Sequence, residues 1–209
     1  MPSAMIHLLT ARQIPGGDDP LFRLGSLAPD CFSRREEKDA VHLRREQDRL
    51  GALLRLAERL DRNDPFEAGW LVHLLADLRW DTEVIPVFRA ALPADADWFP
   101  LYRKECHRAG YALYHNLPWG RQAMEDVLKA DLNALHTTLE LDLPALEEFR
   151  QMLFRKHEES PPDSRSERFP PEKLERFAGE TAAEAAQIFG IGRLQDLEIE
   201  DCNPDGDVV

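Results

Sequence analysis

The chain has 209 residues, of which 43% are hydrophobic and 31% are charged, and its formal net charge is -13. A chain of this length can bury a full core in one domain, and its abundance of helix-forming residues with few β-branched ones favours an all-α fold. The negative charge disfavours a general nucleic-acid or anionic-membrane surface, because either polyanion would be repelled. A single phosphorylated substrate held by a bound metal ion is compatible with that charge.

The predicted elements run as follows along the chain. Turn-forming residues break the first forty positions into short helices and loops. The spacing of apolar residues predicts one helix over 38–60, and Asp64-Pro65 predicts the start of a helix that runs to Trp80. Further helices are predicted over 97–114, 121–139, 144–156 and 171–189. We therefore expect a helical domain over residues 1–160, a polar linker over 161–170, and a last helix with an acidic tail over 171–209, packed on the same domain.

The cysteines and the N-terminus bear on the compartment. Cys31, Cys106 and Cys202 are too few for a disulfide framework and form no CxxC pair, which disfavours thiolate zinc binding. The short apolar run near the N-terminus has no cationic stretch before it, and no segment of about 20 apolar residues occurs. We expect a cytoplasmic protein with no transmembrane segment.

One imidazole and one carboxylate fall a helical turn apart in the apolar stretch GWLVHLLAD. His73 and Asp77 stand at i and i+4, so both side chains lie on one helical face and can converge on one cation. Divalent ions such as zinc accept both donor types. Burying this pair would be costly without a partner or a bound ion. The alternative is a hydrogen bond between the two side chains within the helix, with no metal.

Three further candidate ligands precede this pair. Asp30 follows a proline in LGSLAPD. His42 is expected to open the long helix after the charged stretch SRREEKD, and His7 lies in the apolar segment MIHLL. Taken singly, each has a structural alternative. These are a capping or turn aspartate, a helix-terminal histidine and a hydrogen-bonded core histidine, respectively.

The order of these five residues resembles the bacterial zinc-dependent phospholipase C family, an all-helical fold whose site is shared with fungal single-strand nucleases. That family uses an early histidine, a loop aspartate, a helical histidine and then a helix with His-x-x-x-Asp spacing. Those places are filled here by His7, Asp30, His42, His73 and Asp77. The match covers mainly residues 1–80 and looks closest to the shorter intracellular branch of the family.

The resemblance implies a single multi-helix domain of the zinc-dependent phospholipase C type with one or two zinc ions, although nickel or iron also suit nitrogen and oxygen ligands. It implies that Asp30, His42, His73 and Asp77 hold one zinc, and that Asp77 bridges to a second ion bound by His7. Asp30 would be the catalytic general base or would orient the attacking water. The implied activity is hydrolysis of a phosphate ester, either a phospholipid or a soluble phosphoester, by metal-activated water.

Two departures from the family pattern concern further ligands. Secreted members use a processed N-terminal tryptophan as a metal ligand, whereas this chain begins MPS. They also bind a third metal through later residues with His-x-x-x-Glu spacing. His136 and Glu140 reproduce that spacing, and His107 or His115 could add a ligand. The surrounding sequence does not align with the family, so the favoured interpretation of His136 and Glu140 is a surface position on an amphipathic helix.

Two alternative functions stay open. Another all-helical class of metal-dependent phosphohydrolases uses an adjacent His-Asp pair, but that dipeptide is absent from this sequence. The second alternative belongs to a different functional class: a non-catalytic helical domain that binds metal or a protein partner. Nucleotide-binding and serine-hydrolase folds lack support, because no GxGxxG, P-loop or GxSxG motif occurs.

Overall fold

A computed structural model describes residues 2–191, and all regular structure within that range is helical, which confirms the predicted all-α fold. No described helix combines the length and apolar character needed to span a bilayer. The predicted acidic tail and Cys202 lie outside the described residues. The α-helices of the described range are α1 (Ala4–Arg12), α2 (Pro20–Gly25), α3 (Arg35–Val41), α4 (Arg49–Ala57), α5 (Pro65–Arg79), α6 (Ile85–Ala90), α7 (Trp98–Asn116), α8 (Gly120–Lys129), α9 (Leu143–Glu158) and α10 (Pro171–Phe189).

Capping residues set helix ends at positions that the sequence predicts. Asp64 precedes α5, and its side chain accepts a hydrogen bond from the backbone N–H of Glu67 at 2.9 Å. Pro65 occupies the first helical position, where its missing N–H carries no cost. At the other end of the chain, α10 stops because Gly190 adopts a left-handed conformation with a φ of 70°. The predicted starts and stops of α5 and α10 are thus explained by local chemistry.

Helix α5 is the centre of the fold. Its middle portion is buried on all sides, and α1, α2, α4 and α10 pack around it. Its crossing with α2 is a backbone contact: a Cβ on Gly25 would lie 2.1 Å from Phe66 O, and a Cβ on Gly69 would lie 2.2 Å from Phe22 O. Only glycine lets two helices approach this closely. The contact places the C-terminal end of α2 beside the face of α5 that carries His73.

The predicted continuous helix over 38–60 is wrong, because a loop separates α3 from α4. His42 is the C-cap residue of α3 rather than the opening residue of a long helix, and Leu43 follows it in a left-handed conformation with a φ of 54°. Helix α4 starts after Asp48, whose side chain accepts a hydrogen bond from the N–H of Gly51 at 2.8 Å. Apolar spacing continues through both helices, but the cap and the left-handed residue interrupt the backbone hydrogen bonding between them.

The predicted helix over 121–139 is too long, because α8 ends ten residues earlier. Nη1 of Arg150, from α9, donates to the carbonyl oxygens of Val127 and Ala130 at 3.1 and 2.7 Å. The carboxylate of Glu67, from α5, accepts hydrogen bonds from two successive threonines in the segment that follows α8. These contacts come from distant parts of the sequence and replace the hydrogen bonds that a longer helix would form.

The polar segment 161–170 contacts the helical domain on two sides. Glu105 in α7 accepts a hydrogen bond from Ser166 Oγ at 2.8 Å. Phe169 is buried against Trp80, with ring centroids 5.3 Å apart. Helix α10 then packs against α1 and α5, so the last described helix joins the same core.

Candidate metal centre

The five predicted ligands meet in one cluster at the centre of the fold. His73 and Asp77 come from α5, His7 from α1, His42 from the end of α3, and Asp30 from a short 3-10 turn after α2. Two overlapping triads, His7–Asp30–His73 and His42–His73–Asp77, each offer one ligand atom per residue within 4.8 Å of the others. Residues that are far apart in the sequence are therefore brought within reach of a common cation.

The ring of His73 is oriented by α2. Its Nδ1 lies 2.8 Å from the backbone carbonyl oxygen of Ser26. Because a carbonyl oxygen only accepts hydrogen bonds, Nδ1 carries the proton and Nε2 presents a lone pair to the cluster. Ser26 reaches the ring because Gly25 and Gly69 allow α2 and α5 to pack backbone to backbone.

The ring of His42 is oriented in the same way by its own helix. Its Nδ1 lies 2.7 Å from the carbonyl oxygen of Lys38, one turn earlier in α3. The ε-nitrogens of His42 and His73 are 3.1 Å apart. Two lone pairs at this distance repel each other unless a proton or a metal ion lies beside both. The arrangement is therefore suited to a cation.

His7 and Asp77 contribute buried polar atoms that have no hydrogen-bond partner among the described residues. His7 stacks on His73, with ring centroids 3.9 Å apart and planes inclined by 12°. Neither ring nitrogen of His7 has a hydrogen-bond partner in the described part of the chain, nor does Oδ1 of Asp77, which lies 3.5 Å from His7 Nε2. An unsatisfied buried polar group costs about 1–3 kcal/mol. One bound cation could coordinate His7 Nε2 and Oδ1 of Asp77, so the residues present fit a metal ion.

Asp30 marks the side of the cluster that faces solvent. Its Oδ1 lies 3.4 Å from His42 Nε2 and 2.7 Å from Nζ of Lys38. Its side chain is 16% exposed, whereas those of His42 and Asp77 are fully buried. Asp30 is therefore the most exposed of the five candidate ligands.

The environment favours the protonation states that bind metal. Burial lowers the pKa of His7 well below its usual value, and the neighbouring His73 lowers it further. Burial likewise lowers the pKa of His73. Burial alone would raise the pKa of Asp30, but contact with His42 and the positive charge of Lys38 oppose this effect, and the pKa of Asp30 lies well below its usual range. Neutral imidazoles beside an ionised carboxylate are the forms that coordinate a divalent cation.

Three groups around the ligands were not predicted from the sequence. The carbonyl groups of Ser26 and Lys38 orient the two histidines, and Nη2 of Arg44 lies 3.0 Å from Asp77 Oδ2. Lys38 was detectable, because a helical residue four positions before His42 has its carbonyl directed at that turn. Ser26 and Arg44 contact their partners across 47 and 33 positions, and no local spacing indicates such contacts.

The residues considered for a third metal site lie elsewhere. His136 and Glu140 fall in the irregular segment after α8, so their predicted placement on an amphipathic helix is wrong. His107 and His115 are on α7, and His115 Nε2 lies 3.0 Å from the carbonyl oxygen of Ser160. Within residues 2–191, neither of the two triads of candidate ligands in the cluster includes any of these four side chains.

Comparison of the chain with protein-family models, with curated proteins and with solved structures gives no match. The resemblance to the zinc-dependent phospholipase C family therefore stays a prediction drawn from the order of five residues. We base the functional proposal on the geometry of those side chains and on the chemistry that their donor atoms support.

Proposed function

We propose that the protein is a metal-dependent, phospholipase C-like hydrolase that cleaves a phosphate ester with an activated water. The observation that carries the proposal is the pair of ε-nitrogens on His42 and His73, 3.1 Å apart, with both δ-nitrogens engaged by backbone carbonyls. Such a pair is favourable only when a proton or a metal ion lies beside both nitrogens, and a metal ion also uses the carboxylates of the cluster. Zinc accepts this set of imidazoles and carboxylates, and so do nickel and iron.

The side chains of the cluster can bind one ion directly. A second ion could bind only if one carboxylate bridged the two ions. His73 belongs to both triads, but Ser26 engages its Nδ1, so only Nε2 is free and it can bind one ion. A second ion would need Asp77 to bridge, with His7 as its other ligand, 3.5 Å from that carboxylate. We therefore propose a centre of one or two ions.

Asp30 is the ligand best placed for catalysis. A divalent cation held in this centre supplies Lewis acidity toward a phosphoryl oxygen and lowers the pKa of an adjacent water. Asp30 reaches solvent, with 16% of its side chain exposed, so it can contact that water. The pKa of Asp30 is lowered, which favours the ionised carboxylate. An ionised carboxylate is better suited to orienting water, by accepting a hydrogen bond, than to holding a proton.

Two cationic side chains lie at the exposed edge of the cluster, where a phosphate would enter. Nζ of Lys38 lies 2.7 Å from Asp30, and Nη2 of Arg44 lies 3.0 Å from Asp77. Their side chains are 26% and 27% exposed. When a metal ion neutralises the two carboxylates, Lys38 becomes available for phosphate oxygens. Arg44 keeps its longer contacts with Asp39 and Asp81, at 3.6 and 3.8 Å, and can turn its fork toward a phosphate.

Backbone strain at Leu43 supports a functional role for its two neighbours. Its left-handed conformation, with a φ of 54°, costs a residue with a side chain about 1 kcal/mol or more. The turn lets His42 and Arg44 both face the cluster, although they are only two positions apart. Strain of this kind concentrates at functional sites.

Turnover of a panel of phosphate esters by the zinc-loaded protein tests the proposal. The panel contains p-nitrophenyl phosphate, bis(p-nitrophenyl) phosphate and micellar phosphatidylcholine, so it separates monoester, diester and phospholipid substrates. Asp30→Ala and His73→Ala should each lower kcat/KM by ~100-fold or more, because water activation is lost. Arg44→Gln should raise KM by roughly tenfold with zinc content unchanged, because it removes a phosphate contact.

His115→Ala is the matched control, since it removes a histidine outside the cluster, and it should keep wild-type activity. Wild-type protein that is fully loaded with zinc, nickel or iron and still inert on every ester would contradict the catalytic proposal. Equal loss of activity in His115→Ala and His73→Ala would contradict the assignment of the site.

A structural metal site is the second candidate, and the burial of His7, His42, His73 and Asp77 favours it. A structural site is closed, whereas a catalytic site keeps a coordination position open to substrate. Chelation distinguishes the two. Loss of turnover with an unchanged helical circular dichroism signal supports catalysis, and collapse of that signal identifies a structural ion.

A further inference from the structure

A shallow groove along α7, from Pro100 to Tyr111, shares no residue with the metal centre. Its volume is about 490 Å³, within the range of sites that bind small molecules. Pro161, in the segment before α10, also lines it. We call it the α7 groove, and its helical residues include Arg103, Lys104, His107, Arg108 and Tyr111.

The positive charge of the α7 groove is largely unpaired. Among the described residues, Arg103 and Lys104 form no ion pair, and Arg108 pairs with Glu105 at 3.3 Å. The other carboxylate oxygen of Glu105 already accepts a hydrogen bond from Ser166. The chain has 39 acidic residues against 26 basic ones, so a basic cluster whose described ion pairing is limited to Arg108 with Glu105 contrasts with the acidic character of the chain.

Two side chains near Arg103 have pKa values that burial lowers most and that neighbouring positive charges lower further: His107, and Lys156 of α9. Burial lowers the pKa of His107, and the charges of Lys156 and Arg103 lower it further. Burial and then the charge of Arg103 lower the pKa of Lys156. A metal cation would add to this repulsion, which argues against His107 as a ligand of a third metal. An anion would relieve it.

We propose that the α7 groove binds a small phosphorylated organic molecule. The guanidinium groups of Arg103 and Arg108 and the ammonium group of Lys104 suit phosphate oxygens. Tyr111 and Pro161 offer apolar surface to the organic part of the ligand. The net charge of -13 opposes a nucleic acid, whose backbone would extend beyond the groove over acidic surface. The proposal stands independently of the hydrolase function, because the two sites share no residue.

Isothermal titration calorimetry of the full chain with phenylphosphonate tests this site. Phenylphosphonate carries a phosphate-like dianion on an aromatic ring and has no ester bond to hydrolyse. Wild-type protein should bind it at least ~10-fold more tightly than inorganic phosphate or phenol, because both halves of the ligand find partners. Arg103→Gln/Lys104→Gln should bind it at least ~10-fold more weakly.

Two controls separate the groove from other anion sites. Arg55→Gln/Arg59→Gln removes the same charge from two exposed arginines elsewhere and should bind like wild type. His73→Ala removes any binding at the metal centre, so the binding that remains in this variant belongs to the α7 groove and should have wild-type affinity there. The proposal is overturned if wild-type protein does not bind phenylphosphonate, or binds inorganic phosphate equally well. It is also overturned if Arg55→Gln/Arg59→Gln weakens binding as much as Arg103→Gln/Lys104→Gln, or if binding is lost in His73→Ala alone. Circular dichroism of each variant verifies that it is folded.

Discussion

His73 illustrates how a single side chain is positioned in this protein. The carbonyl oxygen of Ser26 fixes its Nδ1, the ring of His7 covers one face at 3.9 Å, and Nε2 of His42 approaches to 3.1 Å. Rotation of the ring would break the hydrogen bond or the stacking. The direction of the Nε2 lone pair is therefore set before an ion binds, which reduces the free-energy cost of ordering the ligands.

His157 is a buried histidine of a different kind, and it bears on how stability depends on pH. Its Nδ1 donates to the carbonyl oxygen of Leu153 at 2.8 Å, and its ring packs against Tyr111 and Tyr114. Burial lowers its pKa from 6.5 to about 4. Between these two values the unfolded chain binds a proton that the folded protein does not. The free energy of unfolding therefore falls as the pH falls through this window.

Replacing His157 by Gln should remove that contribution. A shift from 6.5 to about 4 corresponds to roughly 3 kcal/mol. Urea unfolding at about pH 7.5 and about pH 4 should therefore show a larger loss of stability for wild type than for His157→Gln, by approximately that amount. The variant should be the less stable protein at the higher pH, because it loses ring packing. A stability difference that stays constant between the two pH values would contradict a neutral, buried His157.

The orientation of His73 in the metal centre depends on the close contact between helices α2 and α5. Gly69→Ala would place a methyl group 2.2 Å from Phe22 O and push the two helices apart. We expect it to destabilise the protein by roughly 3 kcal/mol and to weaken zinc binding, because the carbonyl group of Ser26 would retract from His73. Urea unfolding and zinc titration measure the two effects.

Gly179→Ala in α10 is the matched control for this substitution. Its added methyl group would meet no atom within 4 Å, so helix propensity alone applies and should stabilise the protein by about 1 kcal/mol. Gly69→Ala with wild-type zinc affinity would show that the close crossing is not needed to orient His73.

Local signals in the sequence account for the helices that were predicted correctly. The Asp64-Pro65 cap and the left-handed Gly190 act on their own neighbours, so the ends of α5 and α10 could be read from the sequence. The break at Leu43 lies between His42 and Arg44, which both contact α5, and the early end of α8 lies under Arg150. Neither could be predicted from residue spacing, because spacing carries no information about distant partners.

Local spacing made only the pair of His73 and Asp77 predictable. His7, Asp30 and His42 were proposed from a residue order that resembles a family, and the groups that support the ligands were not predicted. The i, i+4 spacing of His73 and Asp77 is local and predicts a shared helical face. The contacts from Ser26 and Arg44 exist only after α2 and the loop following α3 pack on α5. Sequence reasoning therefore identified donor atoms, whereas the orientation of the rings required the fold.

At the scale of the whole molecule, the charge distribution limits where an anion can bind. With a net charge of -13, most of the surface repels phosphate. Positive groups collect at the edge of the metal centre, at Lys38 and Arg44, and in the α7 groove, at Arg103 and Lys104. A bound divalent ion would add further positive charge at the first of these places. We expect phosphorylated ligands at these two places rather than over the general surface.

Anomalous diffraction at the zinc edge, from crystals of the full chain grown with zinc, tests the central claim most directly. We predict an anomalous peak about 2.1 Å from Nε2 of both His42 and His73, with a carboxylate oxygen of Asp30 or Asp77 completing the contact. Crystals grown with zinc that show no peak at this cluster, and in which the two imidazoles are linked only by a hydrogen bond, would contradict the account.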